Sequence, residues 1–226
     1  MKKIKINQVY QNYALALLFL FPLFFLSRGS IVYRINLFEY PSLLSFFKVF
    51  NFLGDGWMCM IIFFFLLIYR KVKKVKEFHK EIFSYLISVL LMFIFVSILK
   101  QGIYPMAARP IAFFENIPSY WNPEEFKINF HQRRSFPSGH TATAATLGFF
   151  MMRFCTTKFL RMGLFSLILL AGFSRVFLFQ HFIQDVIAGL FIGLFCVGVV
   201  NQISFFMKKR LMKKKDILFQ KSLAKQ

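Results

Sequence analysis

The chain has 226 residues, with 29 Lys and Arg against 9 Asp and Glu for a formal net charge of +20, and 58% of it is hydrophobic and 20% aromatic. So apolar a composition excludes an ordinary water-soluble domain. The basic residues fall in short clusters between apolar runs, a pattern that fits anionic lipid headgroups and not nucleic acid.

Six apolar segments follow one another at about residues 13–26, 52–68, 82–99, 141–154, 160–177 and 186–206. A bilayer span takes about 20 residues, so the first and fourth need flanking residues to cross. The expected architecture is all-α: one membrane-embedded domain, residues 1–226, of about six transmembrane helices. Lys2, Lys3 and Lys5 precede the first run and no small-residue cleavage site follows it, which predicts an uncleaved first helix. Arg70, Lys71, Lys73, Lys74 and Lys76 separate the second and third runs; Arg153, Lys158 and Arg161 separate the fourth and fifth. A basic tail follows from about residue 207. Under the positive-inside rule these clusters share the cytoplasmic side, which puts both termini inside. The other side receives residues 27–51, where Arg28, Arg34 and Lys48 run against the bias, together with the connections at about 100–139 and 174–184.

The connection at 100–139 holds Pro105, Pro110, Pro118, Pro123 and Pro137, and a loop of that length reads as a functional lid or as disorder. Its Phe113, Phe114, Tyr120, Trp121, Phe126 and Phe130 are expected at the membrane–water interface. Cys59, Cys155 and Cys196 sit in apolar stretches without paired spacing and read as core packing. Asp55, between Gly54 and Gly56, reads as a turn residue, and His79 as solvated surface; His131, beside Arg133 and Arg134, is a weaker candidate for a headgroup contact. Gly189 and Gly193, with Thr141, Ala142 and Ala145, offer small-residue faces for helix packing.

Three polar clusters fall at helix ends that this topology puts on one side. They are Lys100 with Arg109 and Pro110; Pro137, Ser138, Gly139 and His140; and Ser174, Arg175, His181 and Asp185. His181 and Asp185 are four apart, so on a helix they share a face and the carboxylate can hold one ring nitrogen while the other presents a lone pair. Ionisable groups at membrane depth are costly and point to function. Phosphoryl transfer spreads negative charge over three oxygens. Lys100, Arg109 and Arg175 supply countercharge, and Ser138 with the amides of Gly139 and His140 form an anion-favouring helix start. His140 then faces His181 as a general acid. His140 and His181 lack the further ligands a divalent metal needs, and no cofactor is expected.

These residues resemble the three-part signature of the type 2 phosphatidic acid phosphatase (PAP2) superfamily. The second part, Pro137-Ser138-Gly139-His140, and the third, Ser174-Arg175 with five residues to His181 and three more to Asp185, match as they stand. The first departs: eight residues, Gln101 to Ala108, separate Lys100 from Arg109, where the common spacing is six. The resemblance implies His181 as nucleophile, Asp185 as its orienting partner and His140 as acid. It implies a phosphate cradle of Lys100, Arg109, Ser138, Gly139, Ser174 and Arg175, although serine at a helix end is often only a cap.

The longer first part, with Arg109-Pro110-Ile111-Ala112-Phe113-Phe114 and Ser135-Phe136-Pro137-Ser138-Gly139-His140-Thr141-Ala142-Thr143-Ala144, is similar to bacterial lipid A phosphatases of the superfamily. The implied activity is metal-independent hydrolysis of a phosphorylated envelope lipid, lipid A first, at the outer face of the inner membrane. Undecaprenyl pyrophosphate, phosphatidylglycerol phosphate and phosphatidate stay open as substrates. So do transfer to a second lipid and, outside enzymology, a lipid or ion transporter.

Overall fold

The computed structural model describes residues 6–36, 41–74, 78–114 and 131–223, and every regular element among them is helical. Helix α1 (Ile6–Leu18) stops where Pro22 withholds the N–H that would close on Leu18, and a 3-10 turn, Phe21–Phe25, follows. After α2 (Ser30–Asn36) come α3 (Pro41–Phe52) and α4 (Gly56–Val72), bent by 57° at their junction. Asp55 is indeed a turn residue: its carboxylate accepts from the Trp57 N–H at 3.2 Å and caps α4. Helix α5 (Phe78–Ser97) widens into a π turn, Ile98–Ile103, and α6 is the short Pro110–Phe113. Helices α7 (Gly139–Met151), α8 (Lys158–Phe177) and α9 (Ile183–Leu223) complete the chain.

Among the described residues three helices are long and apolar enough to cross a bilayer, those at His79–Ile103, Lys158–Phe177 and Ile183–Lys213; the bent α3–α4 pair makes a fourth. The protein is therefore a multi-pass membrane protein, but the expected six spans are not reached by length. Helices α1 and α7 have 13 residues each. At 1.5 Å per residue they run about 20 Å, short of a hydrocarbon core of roughly 30 Å. The apolar run behind α7 is short because that helix is central, packed against α9, α8, α5 and α4 with its residues from Ala144 to Phe150 buried.

Small residues set that packing, as the sequence predicted. A Cβ on Gly189 would lie 2.7 Å from the Ser138 carbonyl oxygen, and one on Gly193 would lie 2.5 Å from the Ala145 Cβ. Backbone approach of this kind is how helices associate where lipid removes the hydrophobic drive. Large rings face outward instead: Trp57, Phe65 and Phe93 are each more than half exposed, a surface suited to lipid. Cys59 and Cys196 are buried and Cys155 is partly so, all three free. The basic tail continues α9, which runs as one helix of 41 residues through Lys, Leu, Met and Gln, all good helix formers.

Candidate functional site

Lys100 sits on the π turn, where the Tyr104 N–H reaches back five residues to the Leu99 carbonyl at 2.8 Å. That turn, and the reversal in which the Ala107 N–H donates to the Tyr104 carbonyl at 3.2 Å, take up the long spacing before Arg109. Lys100 and Arg109 end close enough for each charge to act on the other, and π turns are frequent at functional sites. Arg109 is buried, its N–H donating to the Gln132 carbonyl at 2.9 Å and its Nε to the Arg133 carbonyl at 3.2 Å. The Ser135 N–H donates to the Ala107 carbonyl at 3.0 Å, so residues 132–135 run beside 107–109.

This segment delivers the start of α7. Ser138, fully buried, is the N-cap: its Oγ accepts from the Thr141 N–H at 3.4 Å and hydroxyl at 2.8 Å. Its own N–H donates to the Asp185 carbonyl at 2.9 Å, which ties α7 to the first turn of α9. A Cβ on Gly139 would lie 3.8 Å from the Lys100 Nζ, so the ammonium stands beside the first amides of α7, where a helix favours an anion. His140, partly buried, lies within electrostatic range of Arg175, His181, Lys100 and Arg109.

The third cluster is built by the α8–α9 reversal. Phe179 takes a left-handed φ of +59°, and the N–H groups of Gln180 and His181 both donate to the Arg175 carbonyl at 3.0 and 3.1 Å. A left-handed conformation costs a bulky residue about 1–3 kcal/mol and persists only where packing enforces it. Rings supply that packing, Phe114 against Phe179 and Phe113 against Phe182, with centroids 5.5 and 5.4 Å apart. These two aromatics, expected at the interface, buttress the site, and Phe113 stays 45% exposed; the other aromatics named with them lie outside the described residues.

His181 is 1% exposed and Asp185 2%. The His181 Nδ1 lies 3.3 Å from the Asp185 Oδ2, which also accepts from the Phe182 N–H at 3.0 Å and from the Ser135 hydroxyl. With Nδ1 held, Nε2 is the nitrogen left for chemistry. Burial pushes the His181 imidazole down to about 3, against the pull of Asp185, so the ring is neutral near pH 7. Arg175, 5% exposed, donates from Nη1 to the Asn51 Oδ1 of α3. The Ser174 hydroxyl donates to the Ala171 carbonyl at 2.7 Å, tied to its own helix.

A cleft of ≈ 540 Å³ opens beside Lys100 and Arg109, walled also by His131, Gln132, Arg133 and Arg134. Among the described residues no three His, Cys, Asp or Glu side chains converge as metal ligands. The structure thus brings together Lys100, Arg109, Ser138, Gly139, His140, Arg175, His181 and Asp185, with Ser174 adjacent and turned to its helix. Sequence reasoning passed over Ser135 and Asn51. Ser135 stands three residues before Ser138, but no spacing rule links a serine to a carboxylate 50 residues away. Asn51 lies 124 residues from Arg175, with no motif around it.

Residues 81–209 match the model of the PAP2 superfamily. A lipid A 4'-phosphatase of Porphyromonas gingivalis is 32% identical over 75 residues, 33% of this chain; the match spans about a third, 32%, of that relative's length. The crystal structure of LpxE from Aquifex aeolicus is similar over 79% of this chain and 96% of that one, with a TM-score of 0.62 and 25% identity. The crystal structure of a transmembrane PAP2-type phosphatidylglycerolphosphate phosphatase from Bacillus subtilis shares the fold over 86% of this chain and 95% of its own, with a TM-score of 0.56 and 19% identity.

Proposed function

The chain belongs to the PAP2 superfamily, and on that premise we propose that it is a membrane phosphatase acting on a phosphorylated envelope lipid through a phosphohistidine. One observation carries the reading: a buried, neutral imidazole, His181, held at Nδ1 by Asp185 and lying within electrostatic range of Arg175 and Arg109. A neutral ring with one nitrogen anchored is a nucleophile; the surrounding cations stabilise the charge on the transferring phosphoryl group.

In the first step the His181 Nε2 lone pair attacks phosphorus, and the bond to the lipid oxygen breaks. His140, held well below its usual range by burial and the cations around it, takes up a proton when the anionic phosphate enters and offsets those cations, and it gives that proton to the leaving oxygen, so the lipid leaves as a neutral alcohol. Water then attacks the phosphohistidine, His140 accepts its proton, the P–N bond breaks and inorganic phosphate departs. Lys100, Arg109 and Arg175 hold the phosphoryl oxygens, with the amides of Gly139 and His140 and the Ser138 hydroxyl. Ser174 joins them only after breaking its bond to Ala171.

Lipid A is the leading substrate, a reading supported by the named relative from Porphyromonas gingivalis and by the motif likeness. The basic clusters support a single domain in the bacterial inner membrane, both termini cytoplasmic and the site facing outward. The test is a panel of lipid A carrying phosphate at either end, undecaprenyl pyrophosphate, phosphatidylglycerol phosphate and phosphatidate, given to wild type and to His181→Ala. Phosphate release from lipid A, abolished in the variant, is expected. Release from every lipid but lipid A would replace the substrate, and activity retained by His181→Ala would remove the covalent mechanism.

A further inference from the structure

The junction of α3 and α4 lies far from all three signature clusters in sequence, yet it touches two of them. The carbonyl of His140 is where a Cβ on Gly54 would press, at 2.8 Å. Asp55 is within electrostatic range of Arg175. One turn earlier, the Asn51 Oδ1 accepts from the Arg175 Nη1 at 2.5 Å. The Cys59 Sγ donates to the Leu53 carbonyl at 3.3 Å, closing the bend on itself.

A guanidinium offers two edges of paired donors, Nε with Nη2 and Nη1 with Nη2, and either can grip two oxygens of a phosphate. Asn51 occupies Nη1. The Arg175 Nε is buried and has no hydrogen-bond partner among the described residues. The unpartnered Nε makes Nε–Nη2 the edge left open for an anion on the buried side, provided the plane of the group is fixed. We infer that Asn51 is a positioning residue: its side-chain oxygen sets the plane of Arg175 so that this fork meets the phosphate. The inference rests on the reading that a phosphoryl group occupies this cluster, and it adds a fourth segment, remote from the signature, to the cradle.

The test uses the full chain in detergent micelles with orthovanadate, a phosphate-shaped probe whose affinity is read from the shift it causes in the thermal midpoint. A hydrogen bond to a charged group is worth about 1.5–3 kcal/mol, so Asn51→Ala should weaken vanadate about 10- to 100-fold. Arg175→Ala should weaken it at least as much. The double variant should then bind like Arg175→Ala alone, to within about threefold, because residues acting as one unit are not additive. Asn51→Asp, which keeps the acceptor, should retain most of the affinity, and it carries the test if Asn51→Ala does not fold.

Wild-type affinity in Asn51→Ala, additive losses in the double variant, or equal loss in Asn51→Asp would each overturn the assignment. A wild-type chain that binds vanadate through Arg175 and Asn51 yet releases no phosphate from any lipid would instead end the phosphatase reading and leave this one standing.

Discussion

Replacing Gly189 by Ala adds one methyl at a close backbone contact between the two helices that carry the site. The new Cβ would lie 2.7 Å from the Ser138 carbonyl oxygen, 3.0 Å from the Thr141 Cβ and 3.1 Å from the Ala142 nitrogen. The first contact is about 0.7 Å short of ordinary van der Waals distance, and it is made to backbone, which cannot rotate away. Helix α9 must back off from α7, stretching the 2.9 Å bond from the Ser138 N–H to the Asp185 carbonyl. Overpacking of this kind costs about 1–3 kcal/mol, partly offset by up to about 1 kcal/mol of better helix propensity. A misplacement approaching 1 Å between catalytic groups can cost about 100-fold in rate. Gly198→Ala is the control: it lies on the same helix, and nothing stands within 4 Å of its added Cβ. It should keep activity and gain slightly in stability. Thermal unfolding in detergent and phosphate release measure the two effects, and a Gly189→Ala protein as stable and active as Gly198→Ala would refute the reasoning.

Ser135→Ala removes one of three donors to the Asp185 Oδ2 and should lower kcat about 10- to 100-fold while KM holds, since the serine touches the carboxylate and not the substrate; a shift in KM alone would contradict that. The folded His181 titrates near 3 against an ordinary 6.5, so the unfolded chain binds the extra proton first. Its neutral form therefore contributes stability that is whole above about 6.5 and is lost as pH falls toward 3; the thermal midpoint should drop across that window in wild type and drop less in His181→Asn. Orthovanadate should inhibit phosphate release and EDTA should leave it unchanged; inactivation by EDTA with rescue by a divalent cation would refute a metal-free mechanism.

Much of this was legible because apolar runs and helix-end motifs are local signals. The runs behind α5, α8 and α9 fell inside the helices long enough to cross a bilayer, and His181 and Asp185 met as their spacing suggested, although His181 lies two residues before α9 and not on a helix face. The differences have physical sources. Hydropathy does not report how a helix is packed, so the short fourth run gave no sign that α7 is enclosed by α9, α8, α5 and α4. Nor does it register a bend: the second run began at Phe52, inside α3, because Asp55 and Gly56 interrupt the helix without interrupting the apolar composition. Ser135 and Asn51 needed three dimensions, since each meets its partner only after helices far apart in the chain have packed.

The wide turn at Ile98–Ile103 bears on how such a chain tolerates change. Each residue added to a regular α-helix rotates everything beyond it by about 100°, so two extra residues would swing the following arginine roughly 200° around the axis. A turn that closes over five residues instead of four lets the slack bulge outward, leaving the lysine and arginine on a common side. Loop length at the mouth is thereby uncoupled from the bearing of the cations, and the rim can lengthen without rebuilding the floor beneath it.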